Sequence, residues 1–356
     1  MPPLRIGLLG CGQIARAVHL PVLRVLPNVR LAAIADANDA ALAAAAELVP
    51  HAARFADFHA LIGSGDLDAV VICLPPHLHA PSAIAAFEAG LHVYLEKPLA
   101  PSAADGARVL DAWRRAGTIG MIGFNFRFHP QAERIRQRVR AGEIGTVLGI
   151  RSVFSILPHQ IPEWKRTRAL GGGVLLDLAS HHVDLVHHLL GDPVVRAYAS
   201  VRSLQAECDH AALQLELASG ASMQAFVSLG TVDEHRLELL GTSGKLVMDR
   251  TELTRPEHVA ATLRGARVRR VRRALEALEP ARLLRSPGAE PSFATALGVF
   301  AAAAAGGPFA GPDLIDGARC LAVVEAAERA ASTGTAVVPA WTEPATGPST
   351  NQPAAR

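Results

Sequence analysis

The chain is poor in the features that mark secreted, membrane-spanning or polyanion-binding proteins. Its 356 residues hold four cysteines. Cys11, Cys73, Cys208 and Cys320 are scattered without paired spacing, which argues against a disulfide framework or a zinc ribbon and fits a reducing cytoplasm. No apolar run reaches the roughly 20 residues that cross a bilayer, so no membrane association is expected. The opening "MPPLRIGLLG" lacks the basic start and cleavage site of a signal peptide. The net charge is only +2, which offers nothing to a nucleic acid. What remains is the profile of a cytoplasmic globular protein, and the length suits two domains.

Residues 1–123 alternate short, wholly apolar runs with helical patterns. "LRIGLLG", "VRLAAIAD", "DAVVICLPP", "LHVYLEKP" and "TIGMIGFN" read as strands, with helices between them. Strands apolar throughout and separated by helices imply a doubly wound parallel sheet covered on both faces. From 124 to 340 the pattern changes. A helix near 129–141 precedes "TVLGIRSVFSI", and "ASGAS" joins two of several closely spaced strand candidates as a hairpin. This predicts an α+β domain with a large, mainly antiparallel open sheet, closed by helices near 291–305 and 313–333. The Pro-rich tail 341–356 reads as disordered. Segment 255–285 carries nine arginines against three glutamates. It reads as a solvated helix or insertion, or as a flap that grips an anionic substrate group.

The first strand ends in "GCGQIA", so that Gly10, Gly12 and Ala15 match the dinucleotide fingerprint. The first glycine permits the tight turn, the second lets the backbone approach a pyrophosphate, and the small third residue allows close helix packing. The second strand ends in Asp36, placed to bond the ribose hydroxyls. A carboxylate there repels a 2′-phosphate, and neither Ala37 nor Asn38 offers a cation. NAD is therefore expected over NADP. S-adenosylmethionine, which also binds such domains, has no pyrophosphate to cradle.

Two further strand ends carry unusual sequences. "CLPPHLHAP" (73–81) would wall a dinucleotide with its prolines, while His77 and His79 read first as capping or exposed residues. "YLEKPLA" places Glu96, Lys97 and Pro98 at the mouth of the crevice, where Lys97 is either a positioned donor or a surface lysine. In "LLDLASHHVDLVHHLLG" (175–191), Asp177, His181, Asp184 and His188 share one stripe at about 100° per residue. The stripe could be a metal site, with His181, Asp184 and His188 as ligands, an acid–base site or a wet helix face.

These motifs together resemble the glucose–fructose oxidoreductase/inositol dehydrogenase (Gfo/Idh/MocA) family. "GLLGCGQIA" is similar to its opening fingerprint and "DAVVICLPPHLHAPSAIAAFEAGLHVYLEKPLA" to its most diagnostic block. "GFNFRFHP", "GGGVLLDLASHHVDL" and "LELLGTSGKLVMD" resemble its later motifs. The Arg-rich segment has no obvious counterpart. The resemblance implies a catalytic set of Lys97, Asp177 and His181; with Lys97 available as the polarising cation a metal is redundant, and none is expected. Cofactor contacts are assigned to Gly10, Gly12, Gln13, Ile14, Ala15, Asp36, Leu74, Pro75, Pro76, His79, Glu96, Lys97 and Asn125. Substrate contacts fall to Lys97, Arg127, Trp164, Asp177 and His181. His182, His187 and His188 are given structural or surface roles, and Asp184 a structural or substrate role. The resemblance also implies a cis Lys97–Pro98 bond and a homo-oligomer (dimer or tetramer) that buries the open sheet face. The expected activity is NAD-dependent oxidation of a secondary alcohol on a sugar, amino sugar or inositol-like polyol. The alternatives are a redox-assisted glycosidase of the same fold and a non-catalytic NAD-binding regulator.

Overall fold

A computed structural model of the chain describes residues 2–157, 161–250, 257–260 and 291–340. They form two compact units, described in turn. The first begins with β1 (Leu4–Leu9), a π-helical turn (Ala15–His19) and α1 (Leu20–Leu23). There follow β2 (Val29–Ala35), α2 (Asp39–Leu48), β3 (Ala53–Phe55), α3 (Phe58–Ile62) and β4 (Ala69–Ile72). After α4 (His79–Glu88) come β5 (His92–Leu95), α5 (Ala103–Ala116) and β6 (Gly120–Ile122).

The six strands are all parallel, in the order β3-β2-β1-β4-β5-β6. Ile6, Leu8, Val70, Val71, Val93 and Leu95 are fully buried, as a sheet covered on both faces requires. The strand order reverses between β1 and β4, so the crevice beyond their carboxyl ends is the ligand-binding position of such sheets.

The second unit holds α6 (Pro130–Arg140), β7 (Val147–Ser155), α7 (Glu163–Arg166), a π-helical turn (Leu175–Ala179) and α8 (Ser180–Leu190). Then come β8 (Val194–Arg202), β9 (His210–Leu217), β10 (Ser222–Ser228), β11 (Glu234–Gly241), β12 (Gly244–Asp249) and β13 (Glu257–Ala260). These strands form one sheet in the order β13-β12-β11-β7-β10-β9-β8, antiparallel except where β7 meets β10. Its residues alternate: Leu213, Leu215, Met223, Val227, Leu237 and Leu239 face inward, under the turn 175–179 and the helices. Tyr198, Gln214, Gln224 and Phe226 line a hollow of about 570 Å³ on the other face.

Two helices end the described chain, α9 (Pro291–Ala304) and α10 (Leu314–Thr333). Residues 291–319 pack with the first unit, although the sequence reading grouped them with the second. The reason is aromatic packing across the first unit. Phe300 meets Tyr94 of β5 edge-on at 5.7 Å, and Phe293 meets His19 at 5.6 Å. Within the Arg-rich segment, residues 257–260 add an edge strand; the rest of it, like the tail 341–356, lies outside the described residues.

Asp209 shows how the second sheet fixes its turns. Its carboxylate accepts from the backbone N–H groups of Leu204, Gln205 and Ala206 at 2.9, 2.7 and 3.0 Å, and faces His210 Nδ1 at 2.8 Å. Burial alone would raise its pKa, but the His210 side chain and these N–H groups outweigh burial and hold it at about 2. A carboxylate depressed in the folded state contributes stability above the unfolded pKa and loses it as pH falls through the folded value. Asp209→Asn should therefore cost about 2 kcal/mol at pH 7. Urea unfolding should show that gap closing between pH 4 and pH 2. A gap that stays constant with pH contradicts the assignment.

Candidate active site

In the first unit the glycine loop follows β1. Gly10 has φ +91°, and a Cβ there would lie 2.7 Å from the Cys73 carbonyl oxygen, so only glycine fits. A Cβ on Gly12 would meet nothing within 4 Å: this side of the loop is open, as the approach of a pyrophosphate requires. The Arg16 N–H donates to the Gly12 carbonyl at 3.1 Å. Gln13, Ile14 and Ala15 thus stand at a helix start, where backbone donors favour anions. Asp36 braces the loop from β2: its carboxylate accepts from the Cys11 N–H at 2.7 Å and the Asn38 N–H at 2.8 Å. The residues present fit a bound dinucleotide.

Several residues assigned to the cofactor have other structural duties. The Glu96 carboxylate lies 2.8 Å from Nε2 of the fully buried His19 and accepts the Lys97 N–H at 3.2 Å. No local signal links Glu96 to a histidine 77 residues away. His79 is buried rather than exposed, and its ring nitrogens face the carbonyls of Pro98 at 2.6 Å and Leu74 at 2.8 Å. It is a strut between the two strand-end loops. Two carbonyls would suit an imidazolium, yet burial, the dominant influence, lowers its pKa despite both carbonyls. Pro76 is buried, while Leu74, Pro75 and Lys97 are half-buried at the rim. The Lys97–Pro98 bond is cis. Asn125 is buried and donates from Nδ2 to Ser292 Oγ at 2.8 Å.

In the second unit the helix 175–190 is no solvent face: Asp177, His181, His182 and Asp184 are all buried. His187 and His188 are half-buried near its end. Asp177 Oδ2 accepts a hydrogen bond from Lys165 Nζ at 2.8 Å. Lys165 had no part in the sequence reading, although its neighbour Trp164 did. Arg127 grips Asp184 through Nε, at 3.1 Å to Oδ1 and 2.9 Å to Oδ2, and again through its NH2 group. The residue assigned to substrate thus forms a buried bidentate ion pair, and the carboxylate of the conceivable ligand trio His181, Asp184 and His188 is engaged by a guanidinium. Among the described residues, no three His, Cys, Asp or Glu side chains are grouped to hold a metal ion.

His181 stacks on Phe126, with centroids 4.1 Å apart and planes 20° apart. The Arg250 guanidinium carbon lies 3.8 Å from the centre of the same ring. Phe126, Phe154, His182 and His235 build a floor of rings, with His235 stacked on Phe154 at 4.1 Å and His182 on Phe154 at 5.2 Å. His182 also bonds Ser152 Oγ through Nδ1. Burial first, and Arg250 second, push the His182 pKa down to about 3. Burial likewise takes His235 well below its ordinary value, helped by His182 and Arg250. Both rings are neutral near pH 7. These members lie far apart in sequence, so no periodic pattern could have assembled them.

Residues 4–124 match the oxidoreductase family with the NAD-binding Rossmann fold, and residues 132–247 match the GFO/IDH/MocA C-terminal domain. A dTDP-3,4-didehydro-2,6-dideoxy-alpha-D-glucose 3-reductase from Streptomyces violaceoruber is 34% identical over 252 residues, 69% of this chain and 73% of the relative. A myo-inositol 2-dehydrogenase from Thermotoga maritima is 29% identical over 268 residues, 70% and 77% of the two chains. The fold is also that of a levoglucosan dehydrogenase solved with NADH and levoglucosan, with a TM-score of 0.80 and 24% identity over 95% of this chain and 100% of the other. The open glycine loop, the acid at the end of β2 and the sheet beyond them are thus the NAD-binding unit and second domain of a known group: the chain belongs to the Gfo/Idh/MocA oxidoreductase family.

Proposed function

We propose that the chain is an NAD-dependent dehydrogenase acting on a secondary alcohol of a sugar, amino sugar or cyclic polyol. The observation that carries this is the buried pair Asp177 and His181, one helical turn apart, with Lys165 on the carboxylate and Phe126 under the imidazole. Two buried groups, each fixed by a neighbour, suit proton handling better than surface solvation. The nicotinamide, when bound, supplies the hydride acceptor. His181 takes the hydroxyl proton onto its imidazole as the C–H bond breaks. Lys97 Nζ donates a hydrogen bond to the reacting oxygen and offsets its developing negative charge. Asp177 accepts a hydrogen bond from a neighbouring hydroxyl. Gln13, Ile14 and Ala15 hold the pyrophosphate at the helix start, Leu74, Pro75 and Pro76 flank the dinucleotide, and Trp164 borders the sugar. A substrate deuterated at the carbinol carbon should give deuterated NADH by mass spectrometry. Deuterium retained in the carbohydrate or lost to water rejects direct hydride transfer.

Asp36 supports NAD over NADP, since a 2′-phosphate would meet a carboxylate and neither Ala37 nor Asn38 offers a cation. The pair Asp36→Ser and Ala37→Arg should move the kcat/KM ratio toward NADP by about 10–100-fold, the worth of a hydrogen bond to a charged group. NAD affinity should fall as well, because the Cys11 N–H loses its acceptor. A wild type that uses both cofactors equally refutes the role given to Asp36.

The open face of the second sheet suits a homo-oligomer. Tyr198 and Phe226 are each more than 40% exposed there, beside the Arg236–Glu238 ion pair at 2.8 Å. Charged substitutions at both aromatic positions should turn a dimer or tetramer into monomers in light scattering. A wild type that is already monomeric rejects this surface. The four cysteines remain free thiols, which suits a reducing cytoplasm.

A further inference from the structure

Lys165 moves no proton in the reaction just described, yet its ammonium is held against the buried Asp177 carboxylate. The segment that carries it is anchored by Gly172 and by its neighbours Arg166 and Arg168. A Cβ on Gly172 would clash with the Lys165 carbonyl oxygen and lie 2.8 Å from that of Trp164, so glycine alone lets the loop pack here. The Glu207 N–H donates to the Arg166 carbonyl at 3.1 Å, and the Arg168 N–H to Glu207 Oε2 at 2.6 Å. The Arg168 side chain is clamped by Glu328 at 2.6 and 2.9 Å. This scaffold holds an ammonium 2.8 Å from Asp177, with the lysine side chain 25% exposed and the carboxylate 8%.

The geometry points to Lys165 as a specificity-determining substrate contact that, together with Asp177, reads two adjacent hydroxyls of a neutral polyol ring. This rests on the proposed function, in which Asp177 faces the substrate. An ammonium carries three donors and a carboxylate only acceptors. One hydroxyl accepts from Lys165 Nζ while its neighbour donates to Asp177. Two gauche hydroxyls on a ring lie about one hydrogen-bond length apart, the same spacing as the ammonium and carboxylate. The charge balance selects the ligand class. The Lys165 charge is already met by Asp177, so an anionic substituent would find a carboxylate beside the cation, whereas hydroxyls satisfy both groups. Both side chains are fixed before binding, which reduces the ordering cost.

The test is calorimetric binding of inositols and methyl glycopyranosides, with their monodeoxy analogues, to the NADH-loaded protein. Lys165→Met should weaken the preferred polyol by about 10–100-fold, while Lys165→Arg keeps most of the affinity. One monodeoxy analogue should bind the wild type more weakly by a similar factor and no longer distinguish it from Lys165→Met. NADH affinity should be unchanged in the variants. If Lys165→Met does not fold, Lys165→Gln takes its place, with the same pattern expected. An equal loss on every analogue would mean that Lys165 acts only by holding Asp177 and would overturn the inference, as would no loss at all. A wild type that turns over a polyol while Lys165→Met binds it normally rejects this inference alone. A wild type that binds no polyol rejects the proposed function with it.

Discussion

Lys97→Ala and His181→Ala should each lower kcat by about 10²–10⁴, the range for a lost acid–base or charge-stabilising group. The two losses have different causes and can be separated. Without His181 the hydroxyl proton has no fixed acceptor, so activity should rise with pH as solvent base takes over. Without Lys97 the developing negative charge on the oxygen goes unmet, and the loss should persist across the pH range. NADH binding, followed by fluorescence, should hold in both variants, because neither residue is assigned to the adenosine half. His181→Ala also leaves a gap above Phe126, which the stacked imidazole fills at 4.1 Å; His181→Phe should restore stability without activity. If either alanine variant kept near-normal turnover, its role would be wrong.

Arg127→Ala should be a folding mutation before it is a substrate mutation. The Arg127 and Asp184 side chains are only 11% and 3% exposed. Removing the guanidinium leaves a buried carboxylate without its bidentate partner, which typically costs about 3–5 kcal/mol. The melting temperature should fall by roughly 10 °C, and Arg127→Lys should recover part of that, since an ammonium cannot reproduce the fork. A variant that melted normally but showed a raised KM would return Arg127 to the substrate, as its motif alone suggests.

That contrast shows where a linear sequence stops informing. The glycine loop, the acid closing β2 and the strand–helix alternation are encoded within short windows, so the first sheet and its NAD crevice were legible. Asp177 and His181 stand out in the sequence because one helical stripe gathers them, and both are buried in the structure. What is absent from local pattern is the partner each charged group chooses across the fold. Arg127 engages a carboxylate 57 residues on, Glu96 a histidine 77 residues back, and Lys165 an aspartate beyond a glycine loop. The packing of 291–319 with the first unit is likewise set by aromatic contacts of Phe293 and Phe300, and its helical pattern gave no hint of that. His79 looked like a capping or exposed residue because nothing in "PPHLHAP" announces two carbonyls converging on its ring.

The most direct test of the central claim is NADH formation at 340 nm by the purified protein, given NAD and a panel of inositols, hexoses, amino sugars and nucleotide sugars. The account predicts a steady rate with at least one member, higher with NAD than with NADP, and lowered by about 10²–10⁴ in His181→Ala. NADH binding with no turnover in either direction would mark a regulator, and release of free sugar without net NADH would mark a redox-assisted glycosidase; either result contradicts a dehydrogenase.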